Sequence, residues 1–147
     1  DFEWFVAGGG VRRRLLVAEC LLRGLAGRVH FVGPVANPYP LMASADCYVQ
    51  LSRSEGWGLA VTEALALGRR VVASDIPAFR EQEITMSGGA LCPVDDADAF
   101  AGAIRGIAEG GQMDSGVTHE NPPFAAARVL EEFDRVMEFL RPRSGES

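Results

Sequence analysis

Short apolar runs alternate with longer segments of helical spacing along the whole chain, and turn residues punctuate nearly every change. Phe2 to Ala7 is an apolar run that ends in Gly8-Gly9-Gly10, which predicts a buried strand and a tight turn. From Val11 to Leu25 the spacing becomes helical, and Leu15, Leu16, Cys20, Leu22 and Leu25 can share one broad face. Val29 to Val32 reads as a second strand, closed by Gly33-Pro34. Asn37 to Pro40 reads as a loop, Leu41 to Ala45 as a short helix and Asp46 to Leu51 as a third strand. A helix is predicted from about Gly58 to Leu67, stopped by Gly68. Val71 to Ser74 is a fourth strand, Ala78 to Thr85 a short helix and Ala90 to Val94 a fifth strand. Asp95, Asp96 and Asp98 suit the N-terminus of a helix from Ala97 to Glu109. Gly110 to His119 is a polar link, and Pro122-Pro123 open a last helix to about Leu140, within 121–141, with Leu130, Phe133, Met137 and Leu140 on one stripe. Strands alternating with helices through short loops predict an α/β fold, a Rossmann-like parallel sheet flanked by helices on both faces. Ligands of such sheets bind beyond the carboxyl ends of the strands.

Composition narrows the function classes. At 147 residues with 48% apolar content, the chain suits one globular domain. A formal charge of −6 argues against nonspecific nucleic-acid binding. Cys20, Cys47 and Cys92 are odd in number and lie among apolar residues, so they read as small core residues in a reducing compartment, and a cytoplasmic location is expected. His30 and His119 are far apart, with no ligand pair beside them, so no metal site is expected. All basic residues are arginine, and Arg12, Arg13 and Arg14 fall in the first turn of a predicted helix, the unfavourable end for the dipole. They read as a solvated helix face rather than an acceptor or lipid contact, and are either favoured there by something else or merely tolerated. The first residue is Asp1, directly on a strand pattern, so the chain is expected to be a piece of a longer one.

The segment Ser52-Arg53-Ser54-Glu55-Gly56-Trp57-Gly58-Leu59, followed by Glu63, carries the candidate chemistry. Amides from Gly58 to Ala60 would lie at a helix N-terminus, where free N–H groups and the dipole favour an anion. The two carboxylates flank that point, and eight residues of helix would span about 12 Å, the reach from a sugar across two phosphates to a ribose. Glu63 lies in an otherwise uncharged, apolar helix. It is expected either to pair with Arg53, Arg69 or Arg70, or to accept hydrogen bonds from ligand hydroxyls. Ser52-x-x-Glu55 has the form of a capping box, but Gly56 and Gly58 fit poorly inside a helix start and better where backbone approaches a ligand closely. Trp57 could pack on a sugar or roof the core. Gly8-Gly9-Gly10 lacks the full G-x-G-x-x-G pattern and reads as a plain turn.

Glu55-Gly56-Trp57-Gly58-Leu59 through Glu63-Ala64-Leu65-Ala66-Leu67-Gly68 resembles the E-G-F-G-L-x-x-x-E-A-x-A-x-G motif of the retaining glycosyltransferases of family 4, which have the GT-B fold. Val29-His30-Phe31-Val32-Gly33, Ser44-Ala45-Asp46, and Val71 to Asp75 followed by Glu81 resemble further motifs of that family. Trp57 stands where the family has Phe, and Leu51 and Arg70 where it often has Pro. The resemblance implies that 1–147 is a partial C-terminal, nucleotide-sugar-binding domain. It implies that Glu55 is the catalytic-site carboxylate beside the transferred sugar and that Glu63 accepts from the ribose hydroxyls. Amides of Gly58 and Leu59 would hold the diphosphate, with Gly56 and Trp57 alongside, and Gly33 to Val35 would lie beside the base. It further implies transfer with retention and no metal or other cofactor, the nucleotide-diphosphate sugar being a donor substrate. The family's first strand and helix of this domain, with a phosphate-gripping Arg and Lys, are expected upstream of Asp1, that strand being central in the sheet. The acceptor domain is expected further upstream, and any peripheral membrane association is assigned to it. No transferase activity is expected from the chain in isolation. A nucleotide-sugar epimerase and a non-catalytic nucleotide- or partner-binding domain are the alternatives.

Overall fold

The computed structural model describes residues 2–82 and 84–110, so the link after Gly110 and the last predicted helix lie outside the described residues. The described residues fall into two compact units that meet in sequence at Pro38 and Tyr39. The first holds β1 (Trp4–Ala7), α1 (Arg13–Leu22) and β2 (Val29–Gly33). The second holds α2 (Tyr39–Ser44), β3 (Cys47–Gln50), α3 (Leu59–Ala66), β4 (Arg70–Ser74), α4 (Pro77–Arg80), β5 (Ala90–Cys92) and α5 (Ala97–Ala108).

Every strand pairing is parallel, as the alternating pattern predicts, but the described strands form two sheets rather than one. β1 pairs with β2, and β3, β4 and β5 form a second sheet in that order. Alternation of strand and helix dictates parallel strands and crossovers; it does not dictate which strands become neighbours.

In the second unit the strand period of two produces the layers. Val71 and Ala73 of β4 point to one face and join Val61 and Ala64 of α3, Ile76, Phe79 and Ile84 in one core cluster. Val72 points to the other face and packs with Cys92 and with Phe100 and Ile107 of α5. Helices therefore cover both faces of this sheet, and all four β4 residues from Val71 to Ser74 are buried. α5 presents Phe100, Ala103, Ile104 and Ile107 at i, i+3, i+4, i+7 spacing. It starts where the acidic run predicts, with the Asp96 carboxylate accepting from the Ala99 amide at 2.9 Å. α4 is shorter than the segment predicted to Thr85 and is entered through Pro77.

In the first unit the expected broad apolar face of α1 is not buried. Cys20 and Leu25 are half-buried, whereas Leu15 and Leu22 are 71% and 85% exposed. The side that meets the strands carries Arg13, whose guanidinium donates to the Phe31 carbonyl at 3.0 Å and lies over the Phe31 ring. That contact favours Arg13 against the helix dipole, and all three arginines are exposed, as a solvated face requires. The His30 ring stacks on Phe5 with centroids 4.8 Å apart.

Candidate functional site

β3 ends at Gln50, and the chain crosses to α3 through the Glu55 loop. No helix begins at Ser52, so the capping-box form does not open a helix. Its side chains do meet: the Ser52 hydroxyl donates to Glu55 Oε1 at 2.7 Å. The Gln50 amide donates to the same oxygen at 3.2 Å and to Ser52 Oγ at 3.0 Å. Gln50 in turn accepts from the Tyr48 hydroxyl at 2.7 Å. Tyr48, Gln50 and Ser52 alternate along one side of the strand and its extension, which explains why they can form a chain that ends on Glu55. Burial, with the Glu55 and Glu63 carboxylates nearby, pushes the Tyr48 hydroxyl pKa up, so it remains a donor.

The loop is tied down at three further points. The buried Ser74 hydroxyl at the end of β4 accepts from the Ser52 amide at 3.0 Å. The Gln82 amide donates to the Trp57 carbonyl at 2.6 Å. Gly58 sits against the buried Phe79 ring in a left-handed conformation, φ 77°, and a Cβ there would lie 2.3 Å from Phe79 Cε1. The close approach that requires glycine at this position is thus made within the protein. Gly56 differs: a Cβ there would meet nothing within 4 Å. The Trp57 indole is exposed and does not roof the core.

Gly58 is the N-cap of α3, and no side chain caps the helix. Val61 and Thr62 amides donate back to the Gly58 carbonyl, while those of Leu59 and Ala60 have no hydrogen bond among the described residues. Two free amides therefore stand at the positive end of a helix dipole. α3 is less enclosed than its composition predicts: Val61 and Ala64 are buried, Glu63 is half-buried, and Leu59, Thr62 and Ala66 are exposed.

Neither acid pairs with an arginine among the described residues. Glu63 Oε1 accepts from the Tyr39 hydroxyl at 3.1 Å. The arginines named as partners for Glu63 lie elsewhere: Arg53 pairs with Asp95 at 3.1 Å, Arg69 donates to the Leu67 and Ala45 carbonyls, and Arg70 opens β4. Each carboxylate is thus held through one oxygen by uncharged donors, and the other oxygen has no hydrogen bond among the described residues. Glu55, Gly56, Trp57, Gly58, Leu59 and Glu63 belong to one continuous stretch of the second unit, whereas Gly33 ends β2 and Val35 follows it in the first.

The residues that sequence reasoning missed are Tyr39, Tyr48, Gln50, Ser74 and Gln82. Alternation from Tyr48 through Gln50 to Ser52 carried a readable signal. Tyr39, 24 positions before Glu63, and Gln82, 25 after Trp57, carried none. Among the described residues, no group of three or more His, Cys, Asp or Glu is placed to hold a metal ion, and no helix is long and apolar enough to cross a membrane.

A parallel sheet covered by helices on both faces, with an uncapped helix N-terminus just beyond a strand end, defines a Rossmann-like α/β domain. Solved structures of that architecture match nearly the whole chain. The pneumococcal O-GlcNAc transferase GtfA, in complex with UDP and GlcNAc, superposes with a TM-score of 0.64 at 19% identity, covering 95% of this chain and 30% of that one. Anabaena HepE, in complex with UDP, superposes with a TM-score of 0.65 at 19% identity, covering 95% of this chain and 41% of that one. These likenesses establish the fold as that of the GT-B glycosyltransferases. The family described as Glycosyl transferases group 1 matches residues 1–109, and the chain belongs to it. A phosphatidyl-myo-inositol mannosyltransferase of Mycolicibacterium smegmatis is 43% identical over 95 residues, 63% of this chain and 25% of that protein. The Mycobacterium leprae protein of the same name is 32% identical over 137 residues, 91% of this chain and 34% of its own length. The chain thus spans about a quarter to a third of these relatives.

Proposed function

We propose that this chain is the donor-binding part of a retaining glycosyltransferase that passes a sugar from a nucleotide-diphosphate sugar to an acceptor. The observation that carries this reading is the N-terminus of α3: two free amides, uncapped, between two carboxylates that no cation neutralises among the described residues. In this reading the Leu59 amide and its neighbours take the diphosphate, and Gly58 sets their direction through its contact with Phe79. The reaction breaks the bond between the anomeric carbon and the phosphate oxygen, so negative charge grows on the departing diphosphate. Fixed N–H donors and a helix dipole stabilise that charge, the dipole by up to about 2 kcal/mol in a partly buried site.

Glu63, half-buried and one helical turn further on, takes the ribose hydroxyls on its unbonded oxygen. Glu55 lies on the sugar side and acts as the catalytic-site carboxylate, with Gly56 and Trp57 lining the same end. Gly33 and Val35 are assigned to the base. No metal or other cofactor enters the scheme. The acceptor and the acceptor-binding domain belong to the longer protein, and so does the activity. The three free cysteines suit a reducing compartment, and we place the reaction in the cytoplasm.

Calorimetric titration of the longer protein with UDP, GDP and ADP tests the assignment. Glu63→Ala is expected to weaken the nucleotide that binds by about tenfold or more. Glu55→Ala is expected to lower turnover while keeping nucleotide affinity. Unchanged affinity in Glu63→Ala overturns the ribose role, and untouched turnover in Glu55→Ala overturns the sugar-side role.

A further inference from the structure

Tyr39 stands outside the Glu55–Glu63 motif, yet among the described residues its hydroxyl is the one hydrogen-bond partner of the Glu63 carboxylate, donating to Oε1 at 3.1 Å. It reaches Glu63 from α2, a separate helix that packs against α3. The phenol is held protonated: the hydrogen bond to Glu63, and then the charge of that carboxylate, push its pKa up. A phenol has one proton to give, and here it goes to one oxygen of Glu63. That contact restrains the rotation of a flexible side chain and leaves the second oxygen as the acceptor for a ligand.

We propose that Tyr39 is a positioning residue for Glu63, and that the pair sets the preference of the site for a ribonucleotide over its 2′-deoxy counterpart. The proposal rests on the reading of Glu63 as the ribose acceptor. A vicinal diol offers two donors to a carboxylate, and a carboxylate already oriented gives up less rotational freedom on binding them. A 2′-deoxy sugar lacks one of those donors, so it gains less from the arrangement. The Tyr39 side chain is itself partly open to solvent, 46% exposed, and Tyr39→Phe removes the O–H without opening the core.

The experiment compares UDP, GDP and ADP with their 2′-deoxy counterparts by calorimetry on the longer protein. For the nucleotide that binds, wild-type protein is expected to favour the ribo form, and Glu63→Ala to erase that preference. Tyr39→Phe is expected to weaken the ribo form about threefold to tenfold while shifting the deoxy form less than about twofold, with no change in thermal midpoint. In the Glu63→Ala background, Tyr39→Phe is expected to have no further effect, because the tyrosine works through the glutamate. A Tyr39→Phe protein that keeps the full preference while Glu63→Ala loses it overturns the role of Tyr39 and leaves the ribose reading standing. If Glu63→Ala keeps the preference, both fall. If the two substitutions add, Tyr39 acts on the ligand directly and the positioning role is overturned.

Discussion

The unit that ends at Pro38 and the unit that begins at Tyr39 are built from the same repeat, strand then helix then strand, yet they use their apolar residues differently. In the first, α1 has no buried residue, and Val11, Leu15 and Leu22 lie open. In the second, every residue of β4 from Val71 to Ser74 is buried, and α3 and α5 each commit a stripe to one face of the sheet. The difference follows from layering. A helix on a two-stranded sheet can turn only one narrow side toward it, and in α1 that side carries the exposed Arg13 with the half-buried Val17 and Cys20. Leu15 and Leu22 lie roughly 180–200° around the helix from Arg13, at 100° per residue. A strand enclosed by helices on both faces buries every side chain whichever way it points. The candidate site sits on the second kind of architecture, and its loop is fastened to buried groups, Ser74 and Phe79, which are rigid because they are packed.

Substitutions in the longer protein, followed by urea or thermal unfolding, put numbers on that contrast. The largest expected effect is Phe79→Ala, a loss of about 3–5 kcal/mol from a fully buried ring. Leu22→Ala in the other unit is expected to change stability by no more than about 0.5 kcal/mol. Equal costs would break the comparison. Next is Gly58→Ala, where a left-handed backbone and the clash with Phe79 together are expected to cost about 2–4 kcal/mol. Gly56→Ala, with open space around it, is expected to be nearly silent in stability.

A smaller effect is expected from Ser74→Ala. It strips the Ser52 amide of its acceptor and is expected to cost about 1 kcal/mol, with a fall in turnover as the Glu55 loop loosens. A stability loss with turnover unchanged would detach the loop's anchoring from catalysis.

The smallest is electrostatic. Arg80, hydrogen-bonded to Asp75 at 2.6 Å, holds that carboxyl below the usual carboxylate range, against a weaker opposing effect of burial. A depressed folded-state pKa contributes stability above the unfolded value, and that contribution is lost as pH falls through the folded one. Arg80→Gln is therefore expected to raise the Asp75 titration midpoint in an NMR pH series and to flatten the acid limb of the stability profile. An unmoved midpoint would remove the pair from the account.

Much of the layer plan was legible before any coordinates, because hydrophobic period and turn chemistry are local. The five strands, the start of α5 at Asp96 and the stop of α3 before Gly68 all follow from residues within a few positions of one another. Glu55 and Glu63 were legible as a candidate pair for the same reason. The misreadings share one cause. Helical spacing on α1 says that leucines align, but only a neighbouring layer can bury them. The need for glycine at position 58 was visible, but not its contact with Phe79, which comes 21 positions later. Of the two partners the sequence allowed for Glu63, the arginines are used elsewhere among the described residues.

The order of elements, the parallel sense of the strands and the position of two acids around a helix start were settled by the sequence itself, since each depends on local periodicity and on backbone groups that every such turn exposes. The charge state of the surroundings was not. That Glu63 meets a tyrosine from α2, that Glu55 ends a chain of amide and hydroxyl donors, and that neither meets a cation among the described residues are outcomes of packing. They depend on which side chains the fold brings within about 3 Å, and distance in space is decided only when distant segments share a core.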